Sequence, residues 1–98
     1  MANIPAIISP PDQARQLGSQ TYVSGTAEPY YGVEIWEVDA GVKPLAVATA
    51  DGNGNWTTST PIDLPLEKNI WFYITARSHN YSYPGYSEWS KVHMLHPR

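Results

Sequence analysis

Apolar and polar residues alternate along most of this chain, and the alternation is clearest over residues 70–78. Ile70, Phe72, Ile74 and Ala76 fall on one face of an extended segment, and Trp71, Tyr73, Thr75 and Arg77 on the other, because successive side chains of a strand point to opposite sides. One face is apolar and the other amphipathic, the pattern of a central antiparallel strand with one side in a core and the other half covered. The same reading predicts seven strands, over 5–9, 21–27, 33–38, 45–50, 56–60, 70–78 and 89–95. Between them Pro, Gly, Asn and Asp recur at short intervals with no helical period, which marks an all-β sandwich or barrel.

Local chemistry sharpens each element. Pro10 and Pro11 close the first strand and suit an edge, since proline cannot donate to a ladder. Val33 and Ile35 point inward and Glu34 outward, while Trp36 and Val38 add apolar weight to the outer face. Residues 51–55, Asp-Gly-Asn-Gly-Asn, form the strongest hairpin signal, because Asn and Gly tolerate the positive φ of tight turns. Trp56 is expected as a buried anchor. Residues 61–68 read as a loop crossing between sheets, with Ile62, Leu64 and Leu66 plugging one end, and the tail 96–98 is expected to fray.

The run Ser24-Gly25-Thr26-Ala27-Glu28-Pro29, then Val33-Glu34-Ile35, Ala48-Thr49-Ala50-Asp51-Gly52-Asn53-Gly54-Asn55-Trp56 and Ile74-Thr75-Ala76-Arg77, resembles the bacterial immunoglobulin-like repeats of large surface adhesins. That resemblance covers about residues 7–94 and implies a seven-stranded antiparallel immunoglobulin-like β-sandwich across the single domain 1–98. It further implies a structural or adhesive module without catalysis, strung in tandem in an extracellular or cell-surface bacterial protein. Its partners would be neighbouring domains, a cell-surface protein or a glycan. Two features depart from the family: Tyr30-Tyr31 stand where a small-residue turn is usual, and a long tyrosine loop follows the sixth strand. The segment Gly85-Tyr86-Ser87-Glu88-Trp89-Ser90 also resembles fibronectin type III domains, which share the architecture.

Composition narrows the function classes. At 98 residues the chain is one domain, long enough to bury roughly 60 to 70 per cent of its unfolded surface. Four Trp and seven Tyr stand against one Phe, so most rings carry a polar handle suited to a wet edge or an interface. The net charge of -3 and six scattered basic residues argue against a phosphate-tracking surface, hence against nucleic acid. With no cysteine, neither a disulfide framework nor a thiolate zinc site is available. The opening Met-Ala-Asn-Ile-Pro lacks a signal-peptide pattern, and no apolar run approaches the ~18 residues of a membrane-spanning helix. The chain therefore reads as a module cut from a longer protein.

The turns over 28–32, 51–55 and 79–88 are expected at one end of the sandwich, because strands that alternate direction place alternate connections together. Tyr30, Tyr31, Tyr81, Tyr83 and Tyr86 should gather there as candidate ligand-binding residues, since tyrosine offers large contact area with few rotors to freeze. Such a shelf suits sugar rings, and the alternative function is a carbohydrate-binding module with this loop as its platform. In a tandem array the same tyrosines would pack on the preceding domain.

Other constellations read as structural. Asp51-x-Asn53-x-Asn55 resembles the start of a calcium loop, but Ile62 occupies the position of the bidentate Glu, so a turn is preferred. His93 and His96 have metal-ligand spacing yet point to opposite faces of a strand, and are expected at the surface. No nucleophile elbow is legible, and Glu34, Glu37, Asp39 and Glu88 read as solvated charges. No cofactor or metal is expected. The sequons at Asn55 and Asn80 matter only in a eukaryotic secretory setting.

Overall fold

The computed structural model describes residues 3–80 and 83–98, and at 83 and 84 the backbone alone. Ten strands follow in chain order: β1 (Ala6–Ser9), β2 (Gln20–Thr21), β3 (Ser24–Thr26), β4 (Gly32–Glu37), β5 (Ala46–Thr49), β6 (Asn55–Thr57), β7 (Ile62–Asp63), β8 (Phe72–Asn80), β9 (Tyr83–Tyr86) and β10 (His93–Leu95). Among the described residues there is no helix, and strands pair only antiparallel, so the fold is all-β as the alternation predicts. Among those residues no helix, accordingly, is long and apolar enough to cross a membrane.

One sheet has the order β1-β3-β6; the larger has the order β10-β8-β4-β5, with β9 also paired to β8. A two-stranded ribbon joins β2 to β7. The two main sheets share one core. Val33 and Ile35 of β4, Ile74 and Ala76 of β8, Ala46 and Ala48 of β5 and Leu95 of β10 pack with Trp56 of β6 and with Val23, which leads into β3. Each fully buried aliphatic side chain in such a layer contributes about 1.5–3 kcal/mol. On β8 the apolar face is buried at Ile74 and Ala76, while Tyr73 on the other face stays exposed. Trp56 is the buried anchor expected, although its Nε1 has no hydrogen-bond partner among the described residues.

Several expectations change where the chain bends. The strand expected over 21–27 is two: β2 belongs to the ribbon and β3 to the three-stranded sheet. Between them Val23 is held by Thr58, whose amide donates to Val23 O and whose Oγ1 accepts from Val23 N. The strand expected over 56–60 stops at Thr57, because Ser59 donates to Val47 O on the other sheet. Ile62 and Leu64 are buried with the core, as expected, but Leu66 remains exposed.

The tail does not fray. His96 N donates to Ala14 O at 2.9 Å, Leu17 N to His96 O at 3.3 Å and Gly18 N to Pro97 O at 2.9 Å. Residues 13–18 thus run beside the tail and clamp it. His93 and His96 are both buried and not at the surface as their polarity suggested. His93 Nε2 is 2.6 Å from Pro10 O, and His96 Nδ1 accepts from Arg98 N while its ring meets Trp71 edge to face at 5.0 Å. Backbone partners make this burial affordable, since a buried ring nitrogen left unpaired would lose its hydration without replacement.

Candidate functional site

β8 has β4 along one edge, while its other edge is shared by β10 near Phe72 and β9 near Asn80. The strand expected over 89–95 starts only at His93, and between β9 and β10 the chain lifts away from the ladder. Two serines keep it attached. Ser87 N donates to Ser78 O and Ser87 Oγ accepts from Ser78 N at 2.9 Å; Ser90 N donates to Ala76 O and Ser90 Oγ accepts from Ala76 N at 2.9 Å. Hydroxyls thus replace the carbonyls that a regular strand would offer, which leaves the backbone free to bulge outward. Trp89, between the two serines, reaches the outer face of the larger sheet.

There it meets residues that the antiparallel register has aligned. Glu34 lies opposite Arg77 and Trp36 opposite Thr75, so these four share the outer face. The Arg77 guanidinium lies 3.6 Å from the Tyr86 ring centroid, 4.7 Å from that of Trp89 and 5.5 Å from that of Trp36. Its Nε donates to Glu34 Oε1 at 2.9 Å, and the same oxygen accepts from Trp36 Nε1 at 2.9 Å. Trp36 and Trp89 meet edge to face, 6.2 Å apart at 83°. The ladder is a cation held between electron-rich ring faces with its charge balanced by one half-buried carboxylate.

Beside Trp36 and Trp89 a half-open groove of about 410 Å³ runs between the turn 37–41 and the bulged segment. Glu37 and Asp39 supply its charge, and Thr75 and Ser90 line it as well. A second groove, of about 680 Å³, lies on the far side of the bulge against β1, between Ile4 and Ile8 and residues 89–93.

Of the tyrosines expected as one shelf, the described side chains are those of Tyr30, Tyr31 and Tyr86. Tyr30 and Tyr31 do adjoin the hairpin: Tyr30 N donates to Ala50 O, Ala50 N to Tyr31 O, and the Tyr30 hydroxyl leans over Gly52, where a Cβ would meet it. Tyr30 is 72% exposed. Tyr86 sits on β9 against Arg77 and His79, part of the outer-face ladder. Tyr81 lies outside the described residues, and Tyr83 pairs its backbone with Asn80. The loop expected over 79–88 is therefore largely a hairpin, in which β8 runs on to Asn80 and β9 returns. Asp51 acts as a turn residue, its Oδ1 accepting from Asn53 N at 2.8 Å and Asn55 N at 3.0 Å.

Trp36, Arg77, Trp89 and the turn carboxylates were not expected as a site. The signal for them is the spacing Ser87-x-x-Ser90 around Trp89, together with the outward apolar weight of Trp36. Comparisons with protein-family models, curated proteins and solved structures return no match, so the side chains themselves must carry any functional reading.

Proposed function

We propose that this chain is a non-catalytic module of a bacterial surface or secreted protein, an immunoglobulin-like sandwich that acts as a rigid extracellular spacer with an adhesive end. In this reading β1, β3, β4, β5, β6, β8 and the interrupted strand β9/β10 are the seven strands, and the β2/β7 ribbon is an addition. The observation that carries it is the position of the two chain ends. Asn3 O accepts from Ser78 Oγ at 2.8 Å near one end of β8, whereas Leu95 pairs with Phe72 at the other. Six residues of strand separate them, about 20 Å. A chain that goes in at one end and leaves at the other joins neighbours in line and transmits tension along its strands.

Tyr30, Tyr31 and His79 lie toward the end where Asn3 is held, since Gly32 pairs with His79 beside Ser78. That end would face the preceding neighbour. The hydroxyls of Ser78, Ser87 and Thr75 bond backbone oxygens, and those of Thr58 and Ser90 accept from backbone amides, which is structural use of groups that hydrolases employ as nucleophiles.

The test is a chain of two copies joined directly, studied by small-angle X-ray scattering. The maximum dimension should approach twice the single domain's 41 Å extent. A two-copy chain that folds back side by side, little longer than one copy, would overturn the spacer reading.

A further inference from the structure

The groove beside Trp36 and Trp89 has a chemistry that a spacer does not require. Because the two rings meet at 83°, they form a corner instead of a stack. Arg77 approaches both rings, but neither Arg77 nor its counter-ion Glu34 lines the groove. The internal cation and its charge are thus already matched on another side of the corner. The charged residues that do line the groove are Glu37 and Asp39, and among the described residues neither carboxylate has an ion-pair or hydrogen-bond partner.

The remaining polar side chains of the groove are spoken for. Thr75 Oγ1 donates to Ser90 O at 2.9 Å, and Ser90 Oγ accepts from Ala76 N and donates to Lys91 O at 3.2 Å. Trp36 Nε1 is held by Glu34, so among the described residues the Trp89 indole N–H is the side-chain donor left to the groove, and the charge presented to a ligand is negative, next to two indole rings whose faces attract positive charge. A simple anion would be repelled. A neutral sugar would find rings to stack on and one indole N–H, but nothing in it would answer the two carboxylates' charge. The volume, about 410 Å³, is that of a small-ligand site.

We propose that this groove binds an organic cation, an alkylammonium or guanidinium group seated against Trp36 and Trp89 with its charge toward Glu37 and Asp39. The aromatic faces supply cation–π attraction and the carboxylates supply Coulomb attraction that salt weakens. The proposal is independent of the spacer reading, because it concerns a lateral face and not the ends of the sandwich.

The experiment follows the indole N–H resonances of Trp36 and Trp89 in the full chain while n-butylammonium, n-butanol, a short lysine peptide, its side-chain-acetylated form and a neutral disaccharide are added in turn. Both indoles should shift saturably with n-butylammonium and with the lysine peptide. Butanol and the acetylated peptide should bind at least about tenfold more weakly, the scale of a cation–π contact plus a partly screened charge pair. The double variant Glu37→Gln, Asp39→Asn keeps the groove's shape and should lose the same factor, with its other resonances unchanged. A lysine peptide that binds much more tightly than n-butylammonium identifies a protein segment as the source of the cation; equal binding identifies free amines. Equal response to butanol, undiminished binding by the double variant, response to the disaccharide alone, or no saturable shift with either cation would each overturn the proposal.

Discussion

Gly25 shows how one missing side chain fixes the packing of the smaller sheet. A Cβ there would enter the Ala6 carbonyl oxygen and come within 2.8 Å of Trp56 Cζ2. Both neighbours are constrained, one by the β1 ladder and the other by the core, so neither can give way cheaply. Gly25→Ala should cost about 2–3 kcal/mol, in the upper part of the range for overpacking. Chemical denaturation measures it, and a loss below about 0.5 kcal/mol would mean that β1 is free to shift. At the same scale the sequence identified Trp56 as an anchor but could not identify Arg77 as the centre of a ladder. An alternating pattern shows that Arg77 faces outward; only the register that places it opposite Glu34 supplies its partner.

The bulge between β9 and β10 is a property of the element. In a regular edge strand the amides of Ala76 and Ser78 would bond carbonyls, whereas here they bond the hydroxyls of Ser90 and Ser87. Ser87→Ala and Ser90→Ala each leave a buried amide without an acceptor and should each cost about 1–3 kcal/mol. Hydrogen exchange gives the sharper measurement. Ser78 and Ala76 amides should lose protection in the matching variant while the β4/β5 ladder keeps its own, and unchanged protection at both would show that the serines are dispensable. The sequence predicts one strand over 89–95 because Val92 and Leu95 are apolar and Trp89 favours strands. Side-chain hydroxyls competing with the ladder carry no hydrophobic signature, so the break is invisible to alternation. The split of residues 21–27 into β2 and β3 escapes for a related reason: Val23 is apolar and buried either way, and the pattern does not say which sheet each flanking pair joins.

At the scale of the whole molecule, the tail is built into the fold. Pro97 is fully buried and His96 nearly so, and three backbone hydrogen bonds tie residues 96 and 97 to residues 14–18. Arg98 adds a bond from Nε to Leu66 O at 2.8 Å. Deletion of residues 96–98 should destabilise the domain by about 2–3 kcal/mol, from lost burial and several net hydrogen bonds. A thermal or denaturant midpoint that did not move would restore the frayed tail. Polarity and a terminal position suggested fraying, but the partner that buries the tail is eighty residues away in sequence, where composition gives no hint of it.

The sequence alone determined what local chemistry and a two-residue period can encode: an all-β chain, the approximate place of most strands, the inward set of Val33, Ile35, Ile74 and Ala76, and the Asp51 hairpin. It also placed Tyr30 and Tyr31 next to that hairpin. Tertiary structure decided which outward residues meet. The antiparallel register set Glu34 against Arg77, the serine-held bulge laid Trp89 beside Trp36, and the turn 37–41 brought two carboxylates to the same groove. Alternation assigns a residue to a face, but contact across strands depends on register and on where a strand breaks, and both are settled by pairings distant in the chain.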